Sequence, residues 1–147
     1  MITKVFETHL NVADLERSMA FYEQLPGAQL EMVEETRRIA FFFLGGWNHS
    51  MLGLWEKPKE QVWRQHTAFE IPMDRMDEAI QQLHARGIET KDFYENPSNE
   101  PFVFAWMPAA AIYFDDPDGH LLEYIAIMDA PPRPELGIAS MADWRKR

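Results

Sequence analysis

One order of elements runs through this chain twice, and that repetition limits what it can fold into. Residues 4–12 alternate as a strand, with Phe6, Thr8, Leu10 and Val12 on one face and Val5, Glu7, His9 and Asn11 on the other. Asp14 is placed to cap a helix whose apolar positions Leu15, Met19 and Tyr22 recur at helical spacing, and Leu25-Pro26-Gly27 ends it. Three strand-like runs follow, at 28–35, 38–44 and 51–56. Residues 63–71 alternate again, and a second helix is expected from Asp74 on the stripe Met76, Ala79, Ile80 and Leu83, with Gly87 as its cap. Strands near 88–93, 111–114 and 121–127 complete a second strand-helix-strand-strand-strand unit. Similarity between the halves is weak, yet a mid-strand histidine recurs, with His9 and His66 separated by 57 positions, as expected of an old duplication.

This pattern predicts an α+β chain with module one at about 4–57, module two at about 63–127 and a tail over 128–147, all within a single domain. Residues 94–110 are expected to form a long loop holding Pro97, Pro101 and Pro108 with Phe102, Phe104 and Trp106. Loops beyond the usual ~4–6 residues are more often functional or mobile than decorative. After Pro131-Pro132-Arg133-Pro134 regular structure is expected to end, leaving a tail that wraps the domain or a partner, or is loose.

Composition removes several function classes. The chain has no cysteine, so disulfides, thiolate metal sites and a cysteine nucleophile are excluded, and any metal must be held by nitrogen and oxygen. The formal net charge is -10, and no Lys or Arg occurs between Asp92 and Pro132. Both facts argue against nucleic acid as a partner and against a strongly anionic ligand. The opening residues lack the pattern of a signal peptide, and no apolar run reaches the length of a membrane span, so a cytoplasmic protein without a membrane partner is expected.

The residue most out of place is Glu123, set among Leu121, Ile125 and Ile127 on one face of the last strand. A carboxylate enclosed there needs a cation, a proton or hydrogen bonds. If two equivalent sheets face each other, His9, His66 and Glu123 can converge as a facial set suited to Fe(II), Mn(II), Ni(II) or Zn(II) with coordination positions left open. The alternative for each histidine is a hydrogen-bonded interior residue. His49, His84 and His120 read as loop, helix-surface and turn residues.

The chain resembles the vicinal oxygen chelate superfamily, which includes glyoxalase I, extradiol dioxygenases, fosfomycin-resistance proteins and bleomycin-resistance proteins. The resemblance lies in Thr8-His9-Leu10-Asn11-Val12-Ala13-Asp14-Leu15 with Ser18-Met19-Ala20-Phe21-Tyr22, in Gln65-His66-Thr67-Ala68-Phe69, and in Tyr113-Phe114-Asp115-Asp116-Pro117-Asp118-Gly119-His120 leading to Leu122-Glu123-Tyr124. It implies paired βαβββ modules forming a curved, incomplete barrel, one divalent metal per site on His9, His66 and Glu123, a small-molecule substrate and a homodimer. The fourth carboxylate ligand usual in glyoxalase I aligns with Gly53, with Glu56 close enough for a shift in register to substitute. The shared chemistry is chelation of substrate oxygens by a Lewis-acidic metal. Glu123 is expected to act in catalysis as a ligand, and Asn11 by contacting substrate or orienting a ligand. Glu70, two positions beyond on the His66 face, has the same options. Trp55, Phe41, Phe43, Phe102, Trp106 and Tyr113 are candidate pocket walls, with core packing as the alternative for each. Aromatic richness and missing basic residues point to a small, mostly apolar or aromatic substrate. A ligand-sequestering protein with a vestigial metal site is the competing expectation.

Overall fold

In the computed structural model, which describes residues 1–146, the first strand begins later than its alternation suggests. Strand β1 spans Glu7–Val12, and of its apolar-side residues Leu10 and Val12 are buried while Phe6, just before it, is 38% exposed. Helix α1 (Leu15–Tyr22) starts at Asp14, whose side chain accepts from the Arg17 N–H at 2.9 Å, the expected N-cap. Strands β2 (Ala28–Glu34), β3 (Ile39–Leu44) and β4 (Ser50–Glu56) follow. They form a four-stranded sheet in the order β1-β4-β3-β2, with β1 and β4 parallel. Leu10, Leu15, Tyr22, Phe42, Leu52 and Leu54 are sealed from solvent in its core, each contributing about 1.5–3 kcal/mol by burial.

Two polar clusters hold this unit together. Arg38 sits at φ 57° before β3, and its guanidinium donates to Glu16, Glu35 and Glu56. Glu56 also accepts from the Leu15 N–H at 2.9 Å. Those hydrogen bonds, from Arg38 first, hold the Glu56 carboxyl below its usual range and pin the end of β4 to the start of α1.

The second cluster comes from far along the chain. The unit comprises Met1–Gln65 together with Asp116–Gly119. The Asp118 carboxylate, 5% exposed, accepts from Ala13 N–H at 3.2 Å, Arg17 Nη2 at 2.8 Å and Ser18 Oγ at 3.4 Å. Asp116 accepts from the buried Tyr22 hydroxyl at 2.8 Å. Burial, then the Asp116 charge, pushes the Tyr22 phenol well up, so the hydroxyl remains a donor. Gly119 closes the turn at φ 82°, donating to the Asp116 carbonyl at 3.0 Å.

The second unit holds His66–Asp115 and the residues from His120 onward. Its elements are β5 (His66–Glu70), α2 (Met76–Ala85), β6 (Thr90–Lys91), β7 (Phe102–Phe104), β8 (Ala109–Asp115), β9 (Leu121–Ile127), β10 (Ile138–Ser140) and α3 (Met141–Arg145). The sheet order is β10-β7-β8-β9-β5, with β6 paired to β8. β5 lies parallel to β9, as β1 does to β4, so the repeat seen in the sequence is a repeat of topology, and neither sheet closes on itself.

Three local expectations need correction. The run at 88–93 is a strand only at Thr90–Lys91, because Asp92 turns the chain: its Oδ1 accepts from the N–H groups of Tyr94 and Asn96, both at 2.9 Å, and Glu95 is left-handed at φ 62°. Residues 94–110 are not loop throughout, since Phe102 and Val103 are buried in β7, paired to Ala111 and Ala110 of β8. Nor does regular structure end at Pro134, since β10 and α3 follow it, and the tail takes one of its expected courses by wrapping the domain. β10 pairs with β7, and Arg133 stacks on Trp144 at 5.4 Å and donates to the carbonyls of Trp144 and Lys146. The tail thereby covers an edge that would otherwise be open.

Candidate functional site

Among the described residues strand β5 is an edge strand, paired with β9 alone, and this leaves His66 48% exposed while its neighbour Glu123 is 4% exposed at the side chain. In the parallel register Ala68 lies beside Glu123, and this small side chain leaves room for the His66 ring to lie over the carboxylate. His66 Nε2 stands 3.0 Å from Glu123 Oε2. The other ring nitrogen, Nδ1, is 3.0 Å from the Leu121 carbonyl oxygen, which only accepts, so Nδ1 carries a proton. In the neutral ring Nε2 and Oε2 then present lone pairs to each other. Something positive must lie between them, either a second proton or a metal ion. Glu123 Oε1 is buried with no hydrogen-bond partner among the described residues. Burial raises the Glu123 pKa, with the His66 charge opposing it. The pair therefore fits a divalent cation: two convergent donors, a fixed tautomer and an unsatisfied carboxylate oxygen.

His9 is built differently. Its Nε2 lies 2.8 Å from Glu7 Oε1, two residues back on the same face, and its Nδ1 is buried without a partner among the described residues. The ring rests on Gly53, its neighbour in the parallel β1–β4 register, where a Cβ would come 2.4 Å from Nδ1. Phe41 and Trp55 stand edge-on to it at 5.9 and 5.7 Å. This accounts for a glycine at the position aligned with the fourth carboxylate ligand: the space is filled by the imidazole. Glu56 does not substitute, for it pairs with Val12, not His9, and is bound to Arg38. Gly53→Ala is expected to turn the His9 ring out of its seat, shift its imidazole resonances in ¹H–¹⁵N correlation spectra and cost about 1–3 kcal/mol in denaturant unfolding. Unchanged resonances would mean that the ring does not depend on the glycine.

The other candidates are distributed as follows. Asn11 shares the His9 face and lies opposite Trp55, its N–H donating to Gln65 Oε1 at 3.2 Å. Lys57 Nζ lies 4.8 Å from the Trp55 ring centroid, and Phe43 packs against exposed Trp47 at 6.1 Å. In the second unit Tyr113 stands directly across from Glu123, 5.7 Å from the His66 ring and 5.0 Å from Phe102. Burial first, then the Glu123 charge, pushes its phenol to about 12, so it stays protonated. Trp106 is 60% exposed on the β7–β8 turn, outside this group. Glu70 is exposed at the end of β5. His84 bonds Thr90 Oγ1 at 2.7 Å, and His120 is fully buried. Sequence reasoning missed Phe93, which joins the group at 5.7 Å from Phe102, because the residue was read only as the end of a strand. Among the described residues no three His, Asp or Glu side chains gather closely enough to hold a metal, and no helix is long and apolar enough to cross a membrane.

Comparison with known proteins places these observations. Residues 4–124 match the family model described as the Glyoxalase/Bleomycin resistance protein/Dioxygenase superfamily. The metallothiol transferase FosB of Lysinibacillus sphaericus is 28% identical over 116 residues, 78% of this chain and 75% of that protein. An integron cassette protein from the mobile metagenome of the Halifax Harbour sewage outfall superposes with a TM-score of 0.73 at 30% identity, over 86% of this chain and 100% of that one. FosX, a genomically encoded fosfomycin resistance protein of Listeria monocytogenes solved with Mn(II) and sulfate, gives 0.64 at 28% identity, over 88% and 94%.

Proposed function

Because the chain belongs to the glyoxalase/bleomycin resistance protein/dioxygenase superfamily, we propose that it is a cytoplasmic, metal-dependent enzyme acting on a small, mostly apolar or aromatic substrate through that substrate's oxygen atoms. The observation that carries this reading is the His66–Glu123 pair, whose facing lone pairs call for a cation. His66 and Glu123 would hold the metal, and His9 is carried as third ligand on the family resemblance alone. The metal, when bound, supplies Lewis acidity toward two substrate oxygens. The chain's own residues do the rest. Leu121, through its carbonyl, fixes the His66 tautomer. Tyr113, protonated and beside Glu123, can donate a hydrogen bond to a substrate oxygen but is no base near neutral pH. The family supports a homodimer, a reading that the one-sided pairing of β1 and β5 accommodates.

The likeness to FosB and FosX raises a phosphonate substrate as a second reading. Charge opposes it. Lys91, the basic residue on β6, is tied to Asp115, and the next thereafter in sequence is Arg133, engaged by the tail. Elemental mass spectrometry of untagged protein, purified without chelator, tests the proposal: about one Fe, Mn, Ni or Zn per chain, lost in His66→Ala, is expected. No bound metal, and none taken up from a panel of divalent ions, would leave a ligand-sequestering protein instead.

A further inference from the structure

The second unit contains a cavity of about 240 Å³ between the 92–101 segment and β10, lined by Phe93, Tyr94, Phe102 and Ile138 with Asp92 and Glu100. Its floor belongs to the candidate site's own sheet face. Phe102 pairs with Ala111, two residues from Tyr113, which pairs with Glu123, and Ile138 pairs with Phe104, two residues from Phe102. In antiparallel strands direct partners, and residues two apart, share a face. Two strand spacings and a two-residue offset along the strands separate Phe102 from Glu123, roughly 12 Å. Ring contacts bridge that gap: Phe93 to Phe102 at 5.7 Å, Phe102 to Tyr113 at 5.0 Å and Tyr113 to His66 at 5.7 Å.

The walls are fixed before any ligand arrives. Asp92 spends its Oδ1 on the N–H groups of Tyr94 and Asn96, and its own N–H donates to the Asn96 carbonyl at 2.9 Å. Thr90 Oγ1 donates to the Ser98 carbonyl at 2.6 Å, so its partner His84 Nε2, at 2.7 Å, must be the donor to it. The segment that carries Phe93 and Tyr94 is thereby moored to α2 and β6, and little ordering is left for a ligand to supply. The charged groups in the lining, Asp92 and Glu100, are both acidic. An apolar cavity of about 150 Å³ takes benzene, so this one has room for a single substituted ring.

We propose that this cavity is a subsite for an uncharged or cationic aromatic ring of the substrate, held between Phe93, Tyr94 and Phe102 while the oxygen-bearing end reaches toward His66 and Glu123. The ring subsite stands on the cavity, and only the direction of the oxygen-bearing end rests on the metal-dependent reading above. The acidic lining and aromatic faces favour positive charge and repel a phosphonate.

A ¹⁹F NMR titration of the metal-free full chain with 4-fluorobenzylamine and 4-fluorophenylphosphonate tests it. The amine is expected to bind about tenfold or more tightly than the phosphonate, a step of one cation–π or charge contact. Tyr94→Ala, at a residue 72% exposed and so safe for folding, should weaken the amine about fivefold, and Ile138→Trp should abolish its binding by filling the space. Intact amine binding in a chain that takes up no metal would overturn the enzyme reading and keep the subsite. Equal or tighter phosphonate binding, an amine affinity unmoved by Tyr94→Ala, or no amine binding overturns the subsite, whatever the metal does.

Discussion

Glu123→Gln is expected to weaken divalent metal binding by about 100-fold or more while leaving the metal-free fold as stable as before, or more so. The two halves of this expectation come from one feature. The Glu123 side chain is 4% exposed, so in the metal-free chain its carboxylate carries a desolvation cost that His66 offsets only in part. Gln has the same shape and no charge, which removes that cost and removes the anionic ligand with it. Losses of ten- to a hundredfold follow even when residues merely orienting a ligand are changed, so losing a ligand charge should exceed them. Isothermal titration with Mn(II) and urea unfolding of the metal-free protein measure both halves. A variant that keeps its metal affinity would show that Glu123 is not a ligand, and the function would revert to ligand sequestration.

Asp118→Ala should cost about 3 kcal/mol of folding stability. It strips the acceptor from Ala13 N–H and from Ser18, a fully buried residue, and from half-exposed Arg17. Ser18 cannot turn to water and the partly buried Ala13 N–H can do so only in part, and each unmet buried donor costs about 1–3 kcal/mol. The guanidinium can rehydrate, so Arg17→Ala should cost under about 1 kcal/mol. Asp118→Asn keeps one acceptor oxygen and should fall between. Denaturant midpoints of the three variants decide the matter: equal losses for Asp118→Ala and Arg17→Ala would mean that the ion pair, not the buried donors, holds the turn.

Much of this architecture was legible because it is locally encoded. Asp14 before an apolar stripe, alternation in β1 and β5, and the paired positions of His9 and His66 need only neighbours within a few residues to be read. β7 was not legible, since Phe102-Val103-Phe104 follows a proline-rich stretch and becomes a strand through its pairing with Ala109–Ala111 and with β10, partners that no local window contains. At the site, Glu123 announced itself as a charge among apolar neighbours, and the structure gives it His66. The seat of His9 on Gly53 was hidden, because it depends on the parallel register of strands more than forty positions apart. Asp116 and Asp118 were readable as a family signature, whereas their work in bracing α1 was not: their partners lie 94 to 105 positions earlier.

That brace also decides where this gene can be cut. The chain passes from one unit to the other at Gln65–His66, at Asp115–Asp116 and again at Gly119–His120, so the two halves of the duplication are interlaced and not strung in tandem. A fragment ending at residue 65 would encode a first unit without the acceptors for Ala13, Ser18 and Tyr22, and one beginning at residue 66 would carry a β8–β9 tip with nothing to close upon. The tip resembles the exposed hairpin that tolerates insertions, yet its carboxylates are buried, and inserted sequence there would open the first unit. Recombination between relatives of this chain should therefore conserve the 116–119 turn and the first 65 residues as a matched set, inherited together although a second unit's worth of sequence lies between them.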